Sequence, residues 1–369
     1  MIHRPIRRAG RLLAAAILPV GVVAAAAAPA DAHSVRHGTL YTLSNDAAGN
    51  RVLAFARASD GSLSPAGSFA TGGNGAGAGL GSQGAVVVTD NGRRLIAVNA
   101  GSDSISLFAV DTNGGLDLLD TVASGGHHPI SVTVHDEVVY ALNGADNTIS
   151  GFSFDDRDLE PLAGTTRTLT GTGAAEIAFT PNGHQLVVTE KASNLIDVFA
   201  VDDGIAGSAL PTASTGMTPF GFAFDRHGHL LVSNAAGGAP AASSLTSYAV
   251  DRSGALDLLD GPAPTHQTAA CWVVVSRDSR FAYATNTGSG TISGYHVAPD
   301  GSLSLLNADG VTATTGAGPT DATITRGDLY SVGSGSHTIT VDHIEHDGSL
   351  TPVATLTGLP ANAAGLAAS

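Results

Sequence analysis

The sequence predicts an all-β fold, a seven-bladed β-propeller, on three observations. A segment of similar pattern recurs seven times. Each copy divides into short apolar runs separated by turn residues. The last run of the chain supplies the strand that the first copy lacks. Composition agrees with this: 369 residues with 43% hydrophobic content can bury a large core, and 47 Gly against 11 Phe and one Trp indicate many tight turns.

The repeat is seen by aligning the residue that ends each second apolar run: Asn45, Asn99, Asn143, Glu190, Asn234, Asn286 and Gly333. These positions lie 44 to 54 residues apart, about the length of a propeller blade. Within a copy, runs such as "AVVVT" or "WVVVS" form a first strand. A "DNG" or "PNG" turn follows, and "RLIAVN" gives a second strand. The third strand closes on an aromatic-x-Val-Asp pattern, as at Phe108–Asp111, Phe199–Asp202 and Tyr248–Asp251. Turns reading "SDGSL", "PDGSL" and "HDGSL" place Gly where positive φ is needed, and a fourth strand such as "LDLLD" leads outward. The first copy begins on a second strand, "GTLYTLSN". Residues 359 to 367 are therefore expected to pair with strands between residues 39 and 71 and close the ring.

Residues 1–32 read differently. Four Arg precede an apolar stretch from Leu12 to Ala28 that ends in Ala30-Asp31-Ala32, the pattern of a secretory signal peptide. An uncleaved anchor is the alternative. On the first reading residues 33–369 form one exported domain, secreted and with no stable membrane anchor after cleavage. The full chain carries a net charge of −15, and the leader removes four Arg against one Asp, so the exported part is more acidic still. Lys191 is the only lysine and no basic run occurs, which argues against nucleic acid as a partner. The single Cys271 cannot form an intramolecular disulfide, and with no basic neighbour in sequence it reads as an inert thiol.

In a propeller the first-strand starts of all blades converge at one mouth of the axial channel, where a small-molecule or protein ligand is expected. The equivalent positions are Ala85, Ser131, Glu176, Gly221, Trp272, Asp321 and Asn362. Glu176 and Asp321 are the carboxylates of this ring and candidate calcium ligands, since hard oxygen donors suit that ion. Trp272 offers an indole platform for a ring-shaped ligand. The second-strand ends form another ring: Asn99, Asn143 and Asn286 are candidate substrate contacts, although such Asn residues also cap strand-to-turn transitions. Glu190 takes the Asn position in the fourth copy. Glu176 and Glu190 are the candidate catalytic residues, expected to line one pocket with Asp321 or Trp272, where paired carboxyls give an acid and a base. His127 and His128 read as loop residues. "GAGAGLGSQG", Gly75 to Gly84, reads as a flexible inter-blade loop with no phosphate-binding helix behind it. No nucleophile elbow or zinc-binding spacing occurs.

The segments "PNGHQLVVTEKASNLIDVFAVD", "TPFGFAFD" and "ACWVVVSRDSRFAYATNTGSGTISGY" resemble the secreted bacterial branch of the lactonase-family seven-bladed propellers. That family is similar to the propeller 6-phosphogluconolactonases and the fungal carboxymuconate cyclases. The resemblance implies lactone hydrolysis or cyclisation. Its enzymatic members carry Pro-x-His at first-strand starts and basic residues for an anionic substrate. Here those positions hold Ser131, Glu176, Gly221, Trp272 and Asp321, an acidic set that would repel phosphorylated substrates. Two readings follow: a hydrolase or cyclase for a neutral or weakly charged lactone, with Glu176 or Glu190 as general base, or a non-catalytic propeller that binds a small ligand, a protein or calcium.

Overall fold

The structure, a computed structural model, describes residues 38–369 apart from Asp90 and Asp156. The leader expected at residues 1–32 lies outside the described residues. Seven antiparallel sheets are present, each built on a path of four strands. Blade 1 combines Thr39–Leu43, Arg51–Arg57 and Leu63–Ala70 with Ala364–Ala368. Blades 2 to 7 cover residues 86–123, 129–168, 174–213, 219–264, 270–314 and 319–357 in order. Their innermost strands are Val86–Val88, Pro129–His135, Ala174–Phe179, Pro219–Phe224, Ala270–Val275 and Pro319–Thr325.

Ring closure is as the repeat phase requires: Leu40 pairs with Ala368, Tyr41 with Ala367 and Leu43 with Ala364. A buried ion pair crosses the same seam, Arg57 of blade 1 to Asp328 of blade 7 at 2.5 Å. The "DGS" turns follow their chemistry. Gly61, Gly301 and Gly348 have φ of 80°, 84° and 86°. Each preceding Asp caps its turn, Asp60 accepting from the Ser62 amide at 3.0 Å. The outer strands of blades 3 and 6 depart from the expected single run. Each splits in two, Leu159–Pro161 with Arg167–Thr168 and Leu303–Leu305 with Ala313–Thr314. Positive-φ Gly164 and Gly310 lie in the two interruptions.

Apolar faces of neighbouring blades pack on each other, as where Tyr140 and Leu142 of blade 3 meet Leu186 and Phe199 of blade 4. Tyrosines also bridge blades through polar tips. Tyr41, Tyr140 and Tyr283 donate to the carbonyls of Gly114, Gly204 and Gly348, each in a turn of the next blade, at 3.1, 2.9 and 2.9 Å.

Candidate functional site

The innermost strands of blades 3, 4, 6 and 7 are bulged near their starts, between Pro129 and Ser131, Ala174 and Glu176, Ala270 and Trp272, and Pro319 and Asp321. The extra residue re-aims the next side chain. Ser131, Glu176 and Asp321 thereby reach the neighbouring innermost strand. Ser131 Oγ accepts from the Ile177 amide at 3.3 Å, Glu176 Oε2 from Phe222 at 2.6 Å and Asp321 Oδ2 from Leu366 at 3.1 Å. The same geometry corrects one ring position. Blade 1 contributes Gly365, whose Cβ would lie 3.0 Å from the Val86 amide, and not Asn362. Asn362 lies in the turn before this strand, which starts only at Ala364, so the ring position falls three residues later.

Glu176 and Asp321, from blades 4 and 7, face one axial cavity of about 420 Å³. Valines and alanines of the other innermost strands form much of its wall, and no Lys, Arg or His lines it. It opens at the lower mouth, where Val88, Phe224, Val275 and Ile324 at the strand ends are half-exposed. Burial pushes the Glu176 carboxyl well above the usual range; the Phe222 amide opposes this and the Asp321 charge reinforces it. Burial pushes Asp321 up to about 8, against the amides of Ala322, Leu366 and Gly84 that favour its anion. The candidate calcium ligands thus share a cavity, but no group of three or more His, Cys, Asp or Glu suited to a metal occurs among the described residues.

Glu190 is not brought to this cavity, and the expectation that it shares a pocket with Glu176 is corrected. It is fully buried inside blade 4, with Oε2 accepting from Ser193 Oγ at 2.9 Å. The cause is the role of its position in the repeat. Asn99 donates to Ser104 and Ser106, Asn234 to Ser244 and Thr246, and Asn286 to Thr291 and Ser293. Asn143 makes longer bonds to Thr148 and Ser150. These Asn side chains fasten the second strand to the third within each blade and line neither the axial cavity nor the upper pocket. In blade 4 the corresponding partner is Asp197, which accepts from Thr170. Burial, then the neighbouring Asp197, push Glu190 up to about 8.

Trp272 lies on the other side of a plug. Its indole is buried and stacked on Phe220, with centroids 4.6 Å apart, beside an upper pocket of about 320 Å³. The Gly75–Gly84 segment separates this pocket from the acidic cavity. The flexible connector expected from its glycines is instead pinned across the axis. Asn45 Nδ2 donates to Ala78, Lys191 Nζ to Gly81 and Ser82 Oγ to Ile130, at 2.7, 2.6 and 2.7 Å. Gln83 completes the plug: Nε2 donates to the Val273 carbonyl at 2.9 Å and Oε1 accepts from its amide at 3.1 Å. Gly221 is needed opposite, since a Cβ there would come within 2.5 Å of the Cys271 carbonyl oxygen and 2.4 Å of Gln83 Oε1. Gln83 is the site residue that sequence reasoning missed; the only signal was that this inter-blade segment is longer than its counterparts.

Of the remaining candidates, Cys271 is buried and its thiol is pushed up to about 11 by that burial. His127 is exposed and paired with Asp103 at 2.7 Å.

Comparison with known proteins agrees with this architecture. The family described as Lactonase, 7-bladed beta-propeller, matches residues 33–163 and 135–267. The chain is 26% identical over 144 residues to the 6-phosphogluconolactonase of Serratia proteamaculans, covering 36% of this chain and 44% of that protein. It is 31% identical over 170 residues to that of Sodalis glossinidius, covering 42% and 50%. These matches span half or less of the relatives' length. A Lactobacillus plantarum protein superposes with a TM-score of 0.74 at 19% identity, over 90% of this chain and 99% of that one. The periplasmic gluconolactonase of Pseudomonas aeruginosa does so with 0.67 at 16% identity, over 88% and 98%. The chain belongs to the lactonase family of seven-bladed β-propellers.

Proposed function

We propose that the chain is a lactone hydrolase acting on a neutral lactone at the Glu176–Asp321 cavity. The observation that carries this reading is the convergence of two buried carboxyls on one solvent-reaching axial cavity without a cationic side chain. Three backbone amides favour the Asp321 anion and one favours that of Glu176, so Asp321 ionises first and its charge holds the proton on Glu176. Asp321 then takes a proton from water as the water attacks the lactone carbonyl carbon. Glu176 gives its proton to the ring oxygen as the acyl–oxygen bond breaks, and the product is a hydroxy acid. The base is therefore reassigned from Glu176 or Glu190 to Asp321. The names of the Pseudomonas aeruginosa and enterobacterial relatives support a sugar lactone, and the acidic cavity supports an uncharged one.

A lactone panel followed by pH-stat tests this, with gluconolactone and 6-phosphogluconolactone compared and background hydrolysis subtracted. Asp321→Asn and Glu176→Gln should each lower turnover at least about a hundredfold. Full activity in both variants, or no turnover of any lactone by the wild type, overturns it.

The binding-propeller reading has its own support, because Glu176 and Asp321 also fasten adjacent blades and do so without any reaction. A calcium-dependent rise in melting temperature, lost in both variants, would favour it. Export belongs to the proposal as well, on the leader read over residues 1–32; a secreted chain beginning at His33 would support it.

A further inference from the structure

A second cavity, about 680 Å³, lies on the lower face between blades 6 and 7. It shares Val275 and Ile324 with the wall of the axial cavity. Three of the twelve lysines and arginines in the described chain line it: Arg277, Arg280 and Arg326. In a protein of net charge −15 these three arginines face only two acids of the same cavity wall, Asp278 and Glu345.

The charges in the cleft are unequally satisfied. Arg280 is held by Asp278 at 2.6 Å and by the His346 carbonyl at 3.1 Å, with its guanidinium over the Phe281 ring. Burial opposes the Asp278 anion, but its bonds to Arg280 and Ser276 hold it at about 2, so that pair is neutral as a unit. Glu345, the other acid of the cleft, accepts from Thr351 Oγ1 at 2.8 Å. Arg277 and Arg326 are exposed and have no carboxylate within ion-pair distance among the described residues. Between them the floor is aliphatic, from Val275, Ile324 and Ile344. Two guanidiniums without a carboxylate partner beside an aliphatic floor match a molecule with an apolar body and a carboxylate, whose paired oxygens meet guanidinium forks. The volume is that of a small-molecule site.

We propose that the cleft between blades 6 and 7 binds a small organic carboxylate, held by Arg277 and Arg326 with its body on Val275, Ile324 and Ile344. The site goes beyond the lactone reading and does not depend on it.

Isothermal titration calorimetry on the full chain tests this, with cyclohexanecarboxylate as probe, cyclohexanecarboxamide as its uncharged counterpart and inorganic phosphate as an anion without a body. The carboxylate should bind at least tenfold more tightly than either of the others. The R277Q/R326Q double variant should lose at least tenfold, while Glu176→Gln binds as the wild type does. These arginines are exposed, so an unchanged melting transition in the double variant checks its fold. No carboxylate binding by the wild type, equal binding by the folded double variant, or equal binding of the carboxamide or phosphate overturns the proposal.

Discussion

Gln83 pairs with Val273 as though its side-chain amide were one more residue of the blade 6 sheet, accepting from the backbone amide and donating to the carbonyl. Val273 belongs to the innermost strand of its blade, so both of those backbone groups would otherwise face the axis. With the bonds at Ala78, Gly81 and Ser82, this pair holds the segment that divides the channel into a pocket beside Trp272 and a cavity beside Glu176 and Asp321. Gln83→Ala should speed hydrogen exchange at the Val273 amide at least about tenfold and cost about 1–3 kcal/mol of stability. Unchanged exchange there would mean that the plug is held by other contacts.

The pH dependence of hydrolysis follows from the order of ionisation. With Asp321 pushed up to about 8 and Glu176 also raised, turnover should climb through an apparent pKa near 8 and fall once Glu176 loses its proton. An initial-rate profile that is flat from pH 6 to 9 would remove Asp321 as the base.

Glu190 carries a pH signature of stability instead. Its folded pKa, about 8, lies above the ordinary carboxyl value, so its contribution is full below about 4.5 and is lost as pH rises through 8. Glu190→Asn restores the residue found in five of the other six blades and points an amide donor at Asp197. Melting of this variant should match or exceed the wild type at pH 5 and exceed it by roughly 1–3 °C at pH 9. A variant that melts lower at pH 9 would show that the acid has a favourable partner.

The seam offers a third kind of test. Removing residues 359–369 deletes the strand Ala364–Ala368, bares the edge of Thr39–Leu43 and takes the Leu366 donor from Asp321. Cooperative melting should be lost. Asp328→Asn, which keeps the strand but weakens the buried pair with Arg57, should keep cooperativity and cost about 3–5 kcal/mol. Calorimetry of both separates closure by the strand from closure by charge; a cooperative, unshifted transition in the truncated chain would refute the first.

The propeller was legible because it rests on periodicity and on turn chemistry, and both are local. Asp-Gly turns report their own φ, and a missing first strand announces a C-terminal partner. Glu176 and Asp321 were found for the same reason, since acids at the start of apolar strands break a pattern. Glu190 broke a pattern too, but the pattern belonged to strand fastening inside the blade. Only the Asn99-to-Ser106 and Asn286-to-Ser293 bonds reveal which side of the sheet that position serves. The plug and the arginine cleft left no such mark. Gln83 meets a strand 190 residues away, and Arg277 and Arg326 sit in turns of separate blades that only the ring brings side by side.

Because one contiguous segment stoppers the bore, the two faces of the ring are chemically insulated from each other. Substitutions around Trp272 can reshape the upper rim without altering the solvation of the two acids below. The lower rim can equally be remodelled without touching the aromatic stack. Such a scaffold can be given a new specificity on one face while its other face is kept as an internal control.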